Sequence, residues 1–283
     1  MNKMFLLASY PKSGNTWLRI LLSNLLYPEK APVSINDIIV GGFKTDKRLS
    51  FDQFMPWEAS DLTRDVTDCF MPDFYRLALD SEPNTVFLKT HDMLRKNQDG
   101  DYIFPTERIK GAIHIVRHPL DVLPSYSKHF GLTHEEGLTA MLTPDQLIKT
   151  QLKPAKDKRR LPENHGSWNT HTLSWIDQDI PFPVHRVRYE DLRKDPLTQF
   201  TRLFSALGIS FSKEQLQIAI EQSSFNNLQK QEMNSGFRER LDKSTAPFFR
   251  KGVVGSGKTE IAPELQDKLM IGCQSVMMQL GYN

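Results

Sequence analysis

The chain has 283 residues, 39% hydrophobic and 25% charged, the ordinary balance of a soluble globular protein with one large α/β domain or two small ones. A formal net charge of +2 excludes general polyanion binding, so nucleic acid is not an expected partner and any anion site is local. No run approaches a membrane span, and Cys69 and Cys273 fit neither metal nor C-x-x-C spacing, which points to a reducing cytoplasmic address.

Met4-Phe5-Leu6-Leu7 reads as a buried strand, because Pro11 and Lys12 cut the apolar run too short for a signal peptide. It runs into Tyr10-Pro11-Lys12-Ser13-Gly14-Asn15-Thr16-Trp17 and then into the helical pattern Leu18 to Leu26. That order sets backbone N–H groups, a lysine and two hydroxyls at a helix N-terminus, where macrodipole and unpaired donors favour an anion. An ordinary strand-turn-helix is the bland alternative. The complete context, strand before and apolar helix after, favours the anion.

Further strands are expected at Thr85 to Lys89, Ala112 to Val116 and Val184 to Tyr189, alternating with helical patterns. The fold class is therefore α/β, a central parallel sheet flanked by helices. Asp195-Pro196 starts a helix that Gly208 ends, and Ser212 with Gln215, like Thr143 with Gln146, fits a capping box. Residues 41–60, 93–108, 152–166 and 229–262 are polar and poorly periodic and read as loops over the sheet. The first and third are candidate acceptor loops and the last a candidate lid. No linker or repeat divides the chain, so residues 1–283 read as a single domain.

Three more pieces carry chemistry. Arg117 ends a strand, where its planar donors suit a phosphate, and Ser125 follows on a helix. Lys89-Thr90-His91 lies at another strand's carboxyl end, where open α/β sheets bind ligands. Phe248-Phe249-Arg250-Lys251-Gly252-Val253-Val254-Gly255 sets adjacent cations before glycines, as in a loop that closes over a charged ligand. Each piece alone also fits an ordinary surface feature.

Together and in this order, the pieces resemble the cytosolic sulfotransferases, which use 3′-phosphoadenosine 5′-phosphosulfate (PAPS), and the resemblance covers nearly the whole chain. It implies a P-loop-like fold in which the turn through Lys12, Ser13, Gly14, Asn15 and Thr16 holds the 5′-phosphosulfate and Trp17, at its end, flanks the adenine, with helix-to-sheet packing as the bland alternative for Trp17. Arg117 and Ser125 match the 3′-phosphate pair, and Arg250, Lys251 and Gly252 the C-terminal cofactor motif. His91 matches the catalytic histidine. Tyr189, Ser223 and Phe225 resemble adenine-side elements, with structural roles equally open for Tyr189 and Phe225. Trp168, His171 and Trp175 share one helical face and read as scaffold. The family often has tryptophan where Gly257 stands, so a looser lid is expected and Lys258 is less surely placed.

That same glycine completes Gly252-Val253-Val254-Gly255-Ser256-Gly257-Lys258-Thr259, a literal nucleotide phosphate-loop pattern. It lacks the strand before and the long helix after that the pattern requires. The resemblance implies transfer of a sulfuryl group to a hydroxyl, less readily an amine, of a small or medium organic acceptor. His91 serves as general base; Lys12 stabilises the departing phosphate oxygen and Lys89 the sulfuryl or bridging oxygens. No metal is needed, because lysines and a helix terminus replace the cation. A P-loop kinase-like phosphotransferase and an inactive adenine-nucleotide-binding module are the alternatives. Phe43, Trp57, Phe70, His129 and Phe130 are candidates for the acceptor pocket. Oligomeric state is not readable.

Overall fold

The computed structural model describes residues 3–41, 48–144, 161 and 163–282. Strands β1 (Met4–Ser9), β2 (Val86–Thr90), β3 (Ile109–Val116) and β4 (Val184–Arg188) form one parallel sheet in the order β2-β1-β3-β4. Every residue of β1 is buried, as a central parallel strand requires. Side chains alternate between faces: Met4, Leu6 and Ala8 join Phe74 and Phe104 on one side, while Phe5 and Leu7 join Leu18, Leu21 and Phe200 on the other.

The chain adds β2 on one side of β1 and then crosses to place β3 on the other. Strand order thus reverses at β1, and the crevice beyond the carboxyl ends of β1 and β3 is the topological switch point where such sheets bind ligands. The turn after β1 and Arg117 after β3 are brought side by side for this reason.

Helices α1 (Asn15–Leu26), α2 (Arg48–Phe54) and α3 (Arg64–Asp80) precede β2, and α4 (Pro119–Phe130), α5 (His134–Leu142) and α6 (Trp168–Ser174) lie between β3 and β4. After β4 come α7 (Tyr189–Lys194), α8 (Pro196–Ala206), α9 (Lys213–Gln222), α10 (Phe225–Ser235), α11 (Gly257–Glu260) and α12 (Pro263–Gln279). Asp195 caps α8 by accepting from the Thr198 N–H, and Ser212 with Gln215 closes a capping box on α9, as their spacing predicts. Gln146 lies outside the described residues, and the Thr143 hydroxyl donates to the Thr139 carbonyl at the end of α5.

Three expectations are corrected. Tyr189 opens α7 instead of ending β4. The stretch 229–262 is not one loop: its beginning belongs to α10 and its end holds α11, because Leu228 and Ile20 bury a small core beneath it with Phe237 and Phe249. Residues 41–60 include α2, whose Phe51 is fully buried against Phe74. Phe43 and most of 152–166 lie outside the described residues.

Helix α1 is buried on nearly every side and carries polar groups that bind its neighbours. Asn24 donates to the Ser223 hydroxyl at 3.1 Å, and its Oδ1 accepts from the Val33 N–H at 2.8 Å. Truncation would leave a buried amide N–H without a partner. Asn24→Ala is expected to lower the unfolding free energy by about 2 kcal/mol, measured by urea denaturation.

Candidate active site

The turn after β1 is strained towards its task. Lys12 has φ of 69°, a left-handed value rare for a residue with a side chain. Gly14, at φ 110°, caps α1 with no side-chain hydrogen bond, and a Cβ there would meet the Tyr189 ring at 2.7 Å. Asn15 locks the turn by donating to the Leu7 carbonyl at 2.8 Å and the Ser9 hydroxyl at 3.2 Å. No acidic residue occupies the first turn of α1, so its positive end stays uncompensated.

The Lys12 ammonium sits 3.3 Å from the centre of the Phe248 ring. Burial first, then Arg117, lowers its pKa from 10.5 to about 7, against a smaller rise from Glu232 and Glu239. Arg117 spans the crevice: Nη1 donates to the Lys12 carbonyl at 3.2 Å and Nη2 to the Val253 carbonyl at 3.4 Å. Its guanidinium lies 4.4 Å from the centre of the Tyr189 ring. The Trp168 indole holds the Arg117 carbonyl from behind at 3.2 Å.

The C-terminal loop forms the facing wall. From α10, Glu232 accepts from the Phe248 and Phe249 N–H groups at 2.7 and 2.8 Å, and Gln229 donates to the Phe249 and Arg250 carbonyls. Gly252, at φ 62°, packs so close to Phe225 that a Cβ would stand 2.3 Å from the ring. Arg250 makes a two-pronged pair with Glu260, which also holds Lys251 at 3.0 Å and Lys128 at 3.3 Å. Burial alone would raise the Glu260 carboxyl; these cations bring it down to about 2.

At the end of β2, His91 Nδ1 faces the Ser9 carbonyl at 2.7 Å. A carbonyl only accepts, so Nδ1 carries the proton and Nε2 keeps its lone pair. Burial, then Lys89, holds the imidazole well below its ordinary 6.5, against an opposing pull from Glu163. Glu163 accepts from the His91 N–H at 3.0 Å and from the Lys89 ammonium at 3.3 Å. Burial raises its carboxyl, but Lys89 and the flanking histidines His165 and His91 overcome that and keep it ionised. The Trp175 indole donates to the Asp92 carbonyl at 3.1 Å, bracing this segment as Trp168 braces Arg117.

Lys12, Lys89, His91, Arg117, Glu163, Phe248, Arg250 and Lys251 line one cavity of about 280 Å³, together with Thr16, Trp17, Ser125, His129, Phe130, Arg193, Glu239 and Leu241. The sulfotransferase domain profile matches residues 2–281. The chain belongs to the sulfotransferase domain family.

Cytosolic sulfotransferase 1 of Arabidopsis thaliana is 25% identical over 281 residues, covering 93% of this chain and 75% of the relative. Sulfotransferase 1A1 of Mus musculus is 25% identical, covering 95% and 84%. Among solved structures, retinol dehydratase in complex with androsterone and inactive cofactor PAP superposes with a TM-score of 0.61 at 17% identity, over 98% of this chain and 81% of that one. Mouse sulfotransferase SULT7A1 complexed with PAP superposes at 0.56 with 20% identity, over 96% and 84%. At such identities the likeness is one of fold.

Within this sulfotransferase domain, Lys12, Gly14, Asn15, Thr16, Trp17, Lys89, His91, Arg117, Ser125, Tyr189, Phe225, Arg250, Lys251 and Gly252 line the same cavity. Two of the sequence candidates do not. Ser13 is fully buried beneath the turn, and Ser223 is fully buried against Asn24 of α1. Trp57 also lies elsewhere, half exposed and packed on Phe70 at 4.8 Å. Glu163, Glu239, Arg193 and Phe248 line the cavity without having been picked out as site residues. Glu163 sits in an unpatterned polar stretch that gives no sequence signal, whereas Phe248 directly precedes the paired cations.

Buried donors of the cavity wall with no hydrogen-bond partner among the described residues include Trp17 Nε1, Arg117 Nε and Arg250 Nε. Such donors, beside a lysine whose protonation burial and the neighbouring arginines depress, fit a polyanionic ligand. An anion beside Lys12 restores its ordinary pKa, so binding must take up a proton above pH 7. In calorimetry, 3′-phosphoadenosine 5′-phosphate (PAP) is expected to bind with uptake of nearly one proton at pH 8. Its affinity should fall towards tenfold per pH unit above 7 and stay flat with respect to Lys12 below it. Lys12→Met should abolish that uptake.

Proposed function

We propose that the protein transfers the sulfuryl group of PAPS to a hydroxyl of a small or medium organic acceptor. The observation that carries this reading is the convergence of Lys12, Arg117 and the Arg250-Lys251-Gly252 loop with His91 on one cavity. Several cations on one cavity suit a donor that carries phosphate groups at both the 3′ and the 5′ position of its ribose. A triphosphate nucleotide offers no anion at the 3′ position. The acidic residue following the β2 histidine, Asp92, does not line the cavity and accepts instead from the Asn164 N–H, so it supports no kinase-type metal site there.

His91 accepts the acceptor's hydroxyl proton at Nε2, its Nδ1–H remaining on the Ser9 carbonyl. As the acceptor oxygen bonds to sulfur, the bond between sulfur and the 5′-phosphate oxygen breaks. Lys12 and the open end of α1 stabilise the charge left on that phosphate. Lys89, within reach of the same cavity, neutralises the sulfuryl oxygens. The cavity also presents His129, Phe130 and Leu241 with two carboxylates that each have a cation, Glu163 paired with Lys89 and Glu239 paired with Arg19, which lies behind the wall. That lining favours a neutral hydroxyl-bearing acceptor over an amine, which is charged at neutral pH. Among the described residues no helix is long and apolar enough to cross a membrane. The names of the Arabidopsis relatives place those proteins in the cytosol, and a cytosolic setting goes with this reading.

PAP is expected to raise the melting temperature where ATP with magnesium does not; the reverse result sinks the donor assignment. His91→Ala should keep PAP binding while sulfuryl transfer, followed by mass spectrometry over a phenol, steroid, amine and glycopeptide panel, drops about 100- to 10,000-fold. Because His91 is held neutral well below pH 6.5, the wild-type rate should show no acid limb near that pH.

A further inference from the structure

The glycine-rich segment 252–259 has the pattern of a nucleotide phosphate loop, yet its amides already hold an anion that belongs to the protein. The Gly255 N–H donates to Asp121 Oδ2 at 2.7 Å and the Gly257 N–H to Asp121 Oδ1 at 2.8 Å. Asp121 is 2% exposed and sits in the first turn of α4, where the helix dipole favours its charge. The approach is as close as backbones allow: a Cβ on Gly257 would stand 1.9 Å from the Leu120 carbonyl oxygen. Gly257 therefore marks a tight dock onto α4, where the departure from the family pattern had implied a looser lid.

Asp121, Ser125 and Lys128 are spaced i, i+4 and i+7 and so share one face of α4. Asp121 grips the loop's amides at one end of that face. Lys128 grips Glu260 at the other, at 3.3 Å, and Glu260 in turn holds Arg250 and Lys251. Between them Ser125 lines the cavity. The Val253 carbonyl meets Arg117 at 3.4 Å from the same loop. Elements more than a hundred residues apart in sequence are thus clamped into one wall by two carboxylates, neither of which lines the cavity.

We propose that Asp121 is a positioning residue for the donor's 3′-phosphate, acting through the Gly255 and Gly257 amides to seat Arg250, Lys251 and Gly252 against Ser125 and Arg117. This rests on the reading of those residues as the 3′-phosphate site, and the test separates the two. Calorimetry compares PAP with adenosine 5′-monophosphate, which lacks only the 3′-phosphate. Wild type is expected to prefer PAP strongly. In Asp121→Asn, which turns one acceptor into a donor facing an N–H, that preference should fall about tenfold or more while adenosine 5′-monophosphate binds within twofold of wild type. Gly257→Ala pushes the loop off α4 with Asp121 intact, should give the same selective loss, and decides alone where Asp121→Asn does not fold. General destabilisation would weaken both ligands equally and overturns the proposal, as does an undiminished preference in both variants. A wild-type chain with no preference for PAP overturns the 3′-phosphate reading itself, and the inference with it.

Discussion

Positive charges crowded into one crevice are the constraint around which this molecule is built. Lys12, Arg117, Arg193, Arg250 and Lys251 all line a cavity of about 280 Å³. Each would repel the others and lose hydration, as the fall of Lys12 towards pH 7 registers. The surroundings make the crowding tolerable in two ways. Aromatic faces lie beneath three of the cations, Phe248 under Lys12, Tyr189 under Arg117 and Trp17 under Arg193. Carboxylates set back from the cavity, Glu260 above all, neutralise others. What remains is an excess of positive charge facing inwards, which only a bound anion removes. Affinity for a polyanion and instability of the empty site are one quantity seen from two sides.

The sheet determines where that charge collects. Because β2 and β3 flank β1 on opposite sides, the segments leaving β1 and β3 border a common crevice. Arg117 is already at hand for Lys12 before any side chain is considered, and its bond to the Lys12 carbonyl expresses that adjacency. The tryptophans of the α6 region fix the backbone at the two points where this matters. Trp168 holds the carbonyl of Arg117 and Trp175 that of Asp92, next to His91. Their role as scaffold is thus specific: they set the height of two functional side chains.

Much of this was legible in the chain because it rests on local pattern. Four apolar runs mark the strands, capping residues at Asp195 and Ser212 mark helix starts, and the lysine-glycine turn before an apolar helix marks the start of α1, which no side chain caps. What escaped is non-local. Ser223 follows the right pattern for an adenine contact, but whether its hydroxyl faces a ligand or Asn24 depends on how α1 and α9 pack. Glu163 becomes a partner of Lys89 only through a loop with no periodicity of its own. The stretch after residue 229 looks polar because α10 presents much of its surface to water, burying only Leu228 and Glu232 along its length. Periodicity reports a broad apolar face, and a helix with so narrow a one falls below it.

The two glycine-bearing turns of the chain use the same interaction to opposite ends. After β1, α1 starts without a side-chain cap or an acidic first turn, so its donors are left for a ligand. Near the C-terminus, the amides of Gly255 and Gly257 close on Asp121 and are lost to any other anion. A pattern of glycines and a lysine fixes only that amides can be exposed in a cluster. Whether they meet a phosphate or a carboxylate of the same chain is decided by what the fold brings opposite them. Here an aspartate four residues after the crevice arginine fills the one cluster, so the turn that looks most like a nucleotide site serves as a clasp, while the plainer one leaves the start of α1 without a side-chain cap.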